Sequence, residues 1–369
     1  MNVLIAPDKF KGTLTAERAA WAIARGWRRA RPDDTLEVLP ISDGGDGFGA
    51  ALASQLGATP HRAATVDAAH RRCTARWWWE PASRTAIIES AKIIGLAMLP
   101  PRRFHPFELD TFGLGAVLQA ALRHRPGRIV IGLGGSATND GGFGMARALG
   151  WRFLDRRGRE LTQWTALHAL WRLEPPATRL NCRVIAAVDV ENPLLGRRGA
   201  TRIFGPQKGL RPEDFPRAER CLRRLAAVAR RQLGQDFAAR AGAGAAGGLG
   251  FGLAAFCHGQ LVAGFELFSR LAGLETRLRR ADLVLTGEGA LDHSTLMGKG
   301  VGQLARRCLS LGKPCIALAG TIGELPAGLW FRAARALTEL TSLEAAKAAP
   351  ARWLERLAAR IAREWTPGR

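Results

Sequence analysis

Five stretches of the sequence place carboxylates, lysines or hydroxyls beside glycines and tight turns. The first is Pro7-Asp8-Lys9-Phe10-Lys11-Gly12-Thr13, with two lysines and a carboxylate. The second is Ser42-Asp43-Gly44-Gly45-Asp46-Gly47. The third runs Gly132-Leu133-Gly134-Gly135-Ser136-Ala137-Thr138-Asn139-Asp140-Gly141-Gly142. The fourth is Asp189 with Asn192-Pro193. The fifth is Thr286-Gly287-Glu288-Gly289-Ala290-Leu291-Asp292-His293-Ser294-Thr295, continuing to Gly298-Lys299-Gly300. Glycines let backbone N–H groups approach phosphate oxygens, and a helix N-terminus behind such a loop adds partial positive charge. Carboxylates in the same place can hold Mg2+ or take a hydroxyl proton. Lysines can neutralise charge on a phosphoryl group in transfer. Singly, a Gly-Gly after a strand is a tight turn, and Asp43 or Asp140 a helix cap. Five such loops, each following an apolar run, are harder to explain by turn chemistry and point to a phosphate site.

The elements that must carry these loops are legible as alternating patterns. Short apolar runs lie at 3–6, 36–39, 129–133, 184–188, 283–286 and 315–319, and each is followed by glycine or a polar loop. Helical patterns fill 16–31, 111–123, 217–233, 302–311 and 343–365. Strands alternating with helices predict an α/β fold, a parallel sheet covered by helices in a Rossmann-like three-layer arrangement. Ligands of such sheets bind outside the carboxyl ends of the strands. One stretch departs from the pattern. Residues 73–79 and 85–89 are strand-like and separated by Glu80-Pro81-Ala82-Ser83-Arg84, a hairpin turn. Trp77, Trp78 and Trp79 put apolar bulk on both faces of that strand, which suits a strand packed between layers. The chain has 369 residues, and at about 150 residues per domain two domains are expected. The expected division is a discontinuous Rossmann-like domain of 1–62 and 275–369, with a mixed α/β domain, 63–274, inserted in it.

Several function classes fall away. Gly242-Ala243-Gly244-Ala245-Ala246-Gly247 matches G-x-G-x-x-G, but no strand precedes it, so the context of a dinucleotide site is missing. No G-x-x-x-x-G-K-[ST] and no G-x-S-x-G occurs, which excludes a P-loop enzyme and a nucleophile elbow. No apolar run reaches the ~18 residues of a membrane span, and the N-terminus reads directly as a strand, with no signal peptide expected. The six cysteines form no C-x-x-C and fit reduced thiols of a cytoplasmic protein. The net charge of +22 suggests nucleic acid at first sight, yet only seven of the 54 basic residues are lysines. The arginines are scattered over helical patterns without a dense run, so a solvated surface and no nucleic-acid partner are expected.

The loops resemble the bacterial type-1 glycerate kinase family. The likeness covers about nine-tenths of the chain, in the family's order, and includes Asp189-Val190-Glu191-Asn192-Pro193-Leu194, Phe204-Gly205-Pro206-Gln207-Lys208-Gly209 and the glycine-rich 242–250 segment. The strings GGSATNDGG and FGPQKG are its most specific parts. The resemblance implies a two-domain α/β kinase with its site in the cleft between domains. It further implies ATP, Mg2+ and D-glycerate as ligands, and 2-phosphoglycerate as the product. A kinase for another small hydroxy acid, or a non-catalytic nucleic-acid-binding or regulatory protein on the same fold, are the alternatives. On this reading Lys9 and Lys11 bind the substrate carboxylate or the transferring phosphoryl group. Asp43 and Asp189 compete for the roles of general base and metal ligand, with Asp189 placed as base and Asp43 as ligand. Gly134, Gly135, Ser136, Thr138 and Asn139 cradle phosphate. Glu288 and Asp292 hold Mg2+ or ribose, and Lys208 and Lys299 are candidate phosphate contacts or plain surface lysines. The protein is expected to be a cytoplasmic monomer or homodimer without a membrane partner. The chain departs from the family's pattern at Leu114, at Ile93-Ile94, at Ser294 and at Gly300. Leu114 and Ile94 bear on the identity of the hydroxy acid should they line its pocket.

Overall fold

The computed structural model describes residues 1–178, 180–296, 300–323 and 330–366. In chain order its strands are β1 (Asn2–Ile5), β2 (Thr35–Val38), β3 (Thr59–Val66), β4 (Arg72–Glu80), β5 (Thr85–Glu89), β6 (Arg128–Leu133) and β7 (Arg152–Leu154). There follow β8 (Arg172–Glu174), β9 (Arg183–Val188), β10 (Gln260–Ala263), β11 (Leu283–Leu291), β12 (Cys315–Ile322) and β13 (Ala333–Ala336). The chain forms two compact units, Met1–Asp43 with Phe265–Arg369, and Gly44–Gly264. The division read from sequence at 62/63 would cut through β3. It would also detach the helix Phe48–Leu56 from β4 and β5, on which it packs.

The first unit is built on a five-stranded sheet, ordered β13-β12-β11-β1-β2 and parallel throughout. Val3, Ile5, Leu283, Leu285, Ile316 and Leu318 join one cluster with Ala20, Ile23 and Trp27 of the helix Ala16–Ala30 and Leu354, Leu357 and Ile361 of the helix Pro350–Glu364. The alternate residues Leu4, Val284 and Ala317 face the other way and are also buried. Burial on both faces is why the central strands β1, β11 and β12 read as short unbroken apolar runs. The helical pattern predicted over 343–365 is two helices, Leu343–Ala348 and Pro350–Glu364. Pro350 has no N–H to continue the first, so Ala349 leaves the helical region and Pro350 opens the second.

The second unit holds a six-stranded sheet in the order β10-β9-β6-β5-β4-β3, parallel from β10 to β5 and antiparallel through β4 and β3. The predicted hairpin is present, with Trp78 opposite Ile87 and Glu80 opposite Thr85. Its turn is closed by Glu80, whose carboxylate accepts from the N–H groups of Ala82 and Ser83, both at 2.7 Å. β3 was not foreseen: Thr-Pro-His-Arg is polar and contains Pro60. It is the edge strand, where proline is tolerated. The small hairpin of β7 and β8 stands apart from this sheet.

The fold distributes the five loops over two sheets, one in each unit. Residues 7–13 and 42–43 follow β1 and β2 at the carboxyl edge of the first sheet, whereas 286–291, read from sequence as loop, continue β11 in register with β12, and only 292–295 lie beyond it. Residues 134–142 and 189–193 follow β6 and β9, at the carboxyl edge of the second. No helix of the described residues is long and apolar enough to cross a membrane, and all six cysteines are free.

The first unit's helices meet at Gly26. A Cβ there would lie 2.0 Å from the carbonyl oxygen of Glu355, so the helix Pro350–Glu364 would have to move away. Gly26→Ala is expected to cost about 1–3 kcal/mol, read as a melting temperature lowered by several degrees. An unchanged melting curve would show that the helix pair is not tightly docked.

Candidate active site

In the second unit the loop after β6 is fixed from beneath by Asp140, a side chain with no exposed surface. Its Oδ2 accepts from the Thr111 N–H at 2.9 Å, the Thr111 hydroxyl at 2.7 Å and the Gly144 N–H at 2.9 Å, and its Oδ1 from the Gly142 N–H at 3.2 Å. Thr111 Oγ1 in turn accepts from the Met145 N–H at 2.8 Å. Burial, with Asp110 nearby, pushes the Asp140 carboxyl up to about 6 against these donors. Asp140 is therefore the internal anchor of the loop.

The upper part of the loop is held by its backbone. The Leu96 N–H donates to Gly135 O and the Ala137 N–H to Ile94 O, each at 2.8 Å. Gly134 lies so close to Gly45 that a Cβ would stand 2.9 Å from its Cα. Behind the loop lies the 242–250 segment whose letters match the dinucleotide fingerprint. Gly247, at φ +70°, presses on the loop: a Cβ there would meet Thr138 O at 1.8 Å, and its carbonyl accepts from the Gly141 N–H at 3.1 Å. The Gly244 N–H donates to Asn192 O at 2.8 Å. The glycines of this segment thus serve as a floor for the loops after β6 and β9.

Ser136, Thr138 and Asn139 are all buried. The Asn139 amide donates to Thr201 Oγ1 at 3.0 Å, while its Oδ1 and the Thr138 hydroxyl have no partner among the described residues. Lys208, which the sequence left undecided between phosphate contact and surface residue, is only 6% exposed. Its Nζ donates to Ser136 Oγ at 3.1 Å and to Thr138 O at 2.7 Å. Burial pushes its amine down to about 7, with Asp140 opposing the shift. Asp189 stands exposed just beyond β9. One residue at this edge escaped the sequence reading. Glu89 ends β5 with 1% exposure, accepts from the Gly47 N–H at 2.8 Å, and has burial raising its carboxyl. Its place at a strand's carboxyl end was the available signal. The departures Leu114, Ile93 and Ile94 all lie within the hydrophobic core of this unit, so none of the three alters a polar pocket.

In the first unit Asp8 follows β1, Asp43 lies beyond β2 and Glu288 stands within β11, and both Asp43 and Glu288 act electrostatically on Asp8. Asp8 is the buried member. Its N–H donates to Gly287 O at 2.8 Å, and its Oδ1 accepts from the Lys9 N–H at 2.7 Å. Burial first, then the charges of Asp43 and Glu288, push its carboxyl up to about 7, while Lys9 opposes them. Glu288 Oε1 accepts from the Thr295 hydroxyl at 2.7 Å, and the Asp292 N–H donates to Thr295 Oγ1 at 3.3 Å. Gly289 packs on the 8–11 loop, where a Cβ would sit 3.2 Å from Lys11 N. Lys9 is half-buried and Lys11 exposed. Asp8 is absent from the set chosen on sequence, because nothing in its one-letter context distinguishes a buried carboxylate from an exposed one. Gly298, Lys299 and the Ser294 side chain lie outside the described residues.

Asp43 and Glu288 each act electrostatically on Asp8. Among the described residues no three His, Cys, Asp or Glu side chains form a closed cage.

The sequence model of the glycerate kinase family matches residues 3–366. A protein of Halalkalibacterium halodurans named glycerate kinase is 35% identical over 88% of this chain and 86% of its own. The Escherichia coli protein named glycerate 2-kinase is 36% identical, again over 88% of this chain and 86% of its own. A crystal structure assigned as glycerate kinase 2 from Salmonella typhimurium LT2 superposes with a TM-score of 0.86 at 35% identity, covering 98% of this chain and 97% of that one.

The raised carboxyl of Asp8 carries a stability consequence in the absence of nucleotide and divalent ions. The folded chain keeps a proton on Asp8 up to about pH 7, whereas an unfolded chain releases it near pH 4. Ionised Asp8 thus costs stability, with the cost absent below pH 4, growing from pH 4 to 7 and constant above. Asp8→Asn is expected to raise unfolding free energy at pH 8 by roughly 2–4 kcal/mol. The gain should vanish at pH 4. Denaturant unfolding at both pH values reads it, and a loss of stability at pH 8 would refute it.

Proposed function

The chain belongs to the glycerate kinase family, and on that premise we propose that it transfers the γ-phosphoryl group of MgATP to D-glycerate, giving 2-phosphoglycerate and ADP. The observation that carries this reading is the family match over residues 3–366, which takes in all five loops. The choice of the 2-hydroxyl is supported by the relative named glycerate 2-kinase. The core positions of Leu114 and Ile94 leave no reason in the residues to prefer another hydroxy acid.

Phosphoryl transfer asks little covalent chemistry of the protein, so catalysis rests on positioning and charge. The hydroxyl oxygen of glycerate attacks the γ-phosphorus, the bond from that phosphorus to the bridging oxygen breaks, and ADP leaves with the bond's electrons. Asp189, at the carboxyl end of β9, takes the hydroxyl proton. The N–H groups and hydroxyls of Gly134, Gly135, Ser136, Thr138 and Asn139 hold phosphate oxygens. Lys9 and Lys11 meet the glycerate carboxylate or the phosphoryl group in flight. Asp43 and Glu288 hold Mg2+, with Asp292 nearby. When bound, the ion offsets the negative charge of the phosphate oxygens.

Two measurements test this. Coupling the reaction to enolase without a mutase should yield phosphoenolpyruvate from D-glycerate and MgATP. ADP without phosphoenolpyruvate would move the transfer to the 3-hydroxyl. Asp189→Asn should lower kcat by about 10²–10⁴ while the melting temperature and nucleotide affinity stay near wild type. Recovery at high Mg2+ would make Asp189 a metal ligand. A near-normal kcat with a lowered melting temperature would make it structural.

A further inference from the structure

We infer that Lys208 is the buried amine that senses an arriving nucleotide phosphate, becoming protonated as the 134–142 loop receives it. The inference rests on the kinase reading above and deepens it. Its basis is a count of hydrogen bonds. A neutral amine has two N–H donors, and both are used, on Ser136 Oγ at 3.1 Å and Thr138 O at 2.7 Å. An ammonium has a third N–H, and among the described residues nothing accepts it. Neutral Lys208 is therefore satisfied in the resting loop, and charged Lys208 is one acceptor short. The loop itself is short of partners too, since among the described residues the Thr138 hydroxyl and Asn139 Oδ1 are buried without any.

The charges around the amine agree. Burial disfavours its charged form and brings it down to about 7. Asp140, on the same loop, is the charge that acts on it in the opposite sense. Arg202, on the neighbouring helix Ala200–Phe204, is exposed and is not among the groups acting on Lys208. No ion pair satisfies Lys208 among the described residues, and an unpaired buried cation is costly. A phosphate at the loop supplies the missing acceptor and the missing negative charge together. Binding then draws one proton from solvent. Ser136 Oγ accepts from the amine in either state, so its O–H is free to point at the phosphate. Lys208 is on this account a positioning residue acting through Ser136.

The test is calorimetric titration of the wild-type chain with ATP at saturating Mg2+, without glycerate, in HEPES and in Tris at pH 8. The buffers' different ionisation enthalpies report protons taken up. With the free amine near 7, roughly one chain in ten is protonated beforehand, so uptake of roughly 0.5–0.9 proton per nucleotide is expected. At pH 6 the amine is already charged and uptake should fade. Lys208→Met should abolish the uptake and weaken nucleotide binding by roughly 10–100-fold. Lys208→Arg, permanently charged, should show no uptake. ATP binding without uptake at pH 8, equal uptake at pH 6 and 8, or undiminished uptake in Lys208→Met would each overturn the inference. The first two need only wild-type protein, so a variant that fails to fold does not rescue the idea. Uptake with 2-phosphoglycerate but none with ATP would likewise overturn the assignment to the nucleotide. A separate turnover assay keeps the two readings apart. Glycerate-dependent ADP formation without proton uptake sinks this inference alone. Neither nucleotide binding nor turnover would sink the kinase reading and this inference with it.

Discussion

Asp140 carries a carboxylate with no exposed surface, and four donors from Thr111, Gly142 and Gly144 converge on it. Moving an isolated carboxylate out of water costs several kcal/mol. Each hydrogen bond to a charged group returns about 1.5–3 kcal/mol. The two sides nearly cancel, which is why burial raises the carboxyl only to about 6 and leaves it mainly ionised at neutral pH. The near-balance is what gives the loop one shape. Any other path for residues 140–144 would strand the charge without its donors. The loop's other contacts follow from that fixed base: the floor at Gly247, the close approach of Gly134 to Gly45, and the pairing with 94–96.

The same pattern recurs at both carboxyl edges. Asp8, Glu89, Asp140 and Lys208 are ionisable groups buried where the strands end. For Asp8, Glu89 and Lys208, burial is the largest cause of a shift toward the neutral form. A fold optimised for stability alone would use apolar residues at such places. Their presence marks where the protein gives up stability to keep charge poised for a ligand. The expected gain in stability of Asp8→Asn and the cost of leaving Lys208 charged are two readings of that one compromise.

The sequence showed these groups unevenly, and the reasons are physical. β1, β6, β9 and β11 were legible because strands buried on both faces must be apolar throughout. β3 was not, because an edge strand needs neither apolar continuity nor every N–H. The break at Ala349 was readable from Pro350 but outweighed by an apolar periodicity that continues across it. The loops stood out because glycine beside carboxylate and lysine is a local pattern. What no local pattern carries is depth. Lys208 looked as much like a surface lysine as a ligand, and Asp8 like any loop aspartate, until the chain's long-range packing buried both. No strand directly precedes the 242–250 glycines among the described residues, and their service as a floor needs contacts from segments about 100 residues away.

Depth also decides what the net charge of +22 can do. Arginines of the long helices stand on the surface, pairing as Arg25 and Arg29 do with Glu355, or lying over rings as Arg306 does over Trp330 at 4.0 Å. Exposed pairs of this kind are worth about 0–1 kcal/mol each. At physiological salt an exposed charge is screened beyond ~8 Å. The surface charge can therefore raise the encounter rate of any anion, glycerate and ATP alike, without distinguishing them. Selection has to come from groups shielded from that screening, whose donors and acceptors have fixed positions. On the proposed reading those are the loop held by Asp140, the amine of Lys208 and the Asp8, Asp43 and Glu288 carboxylates, among which Gly134, Gly135, Asp43 and Glu288 are the parts more than marginally open to solvent.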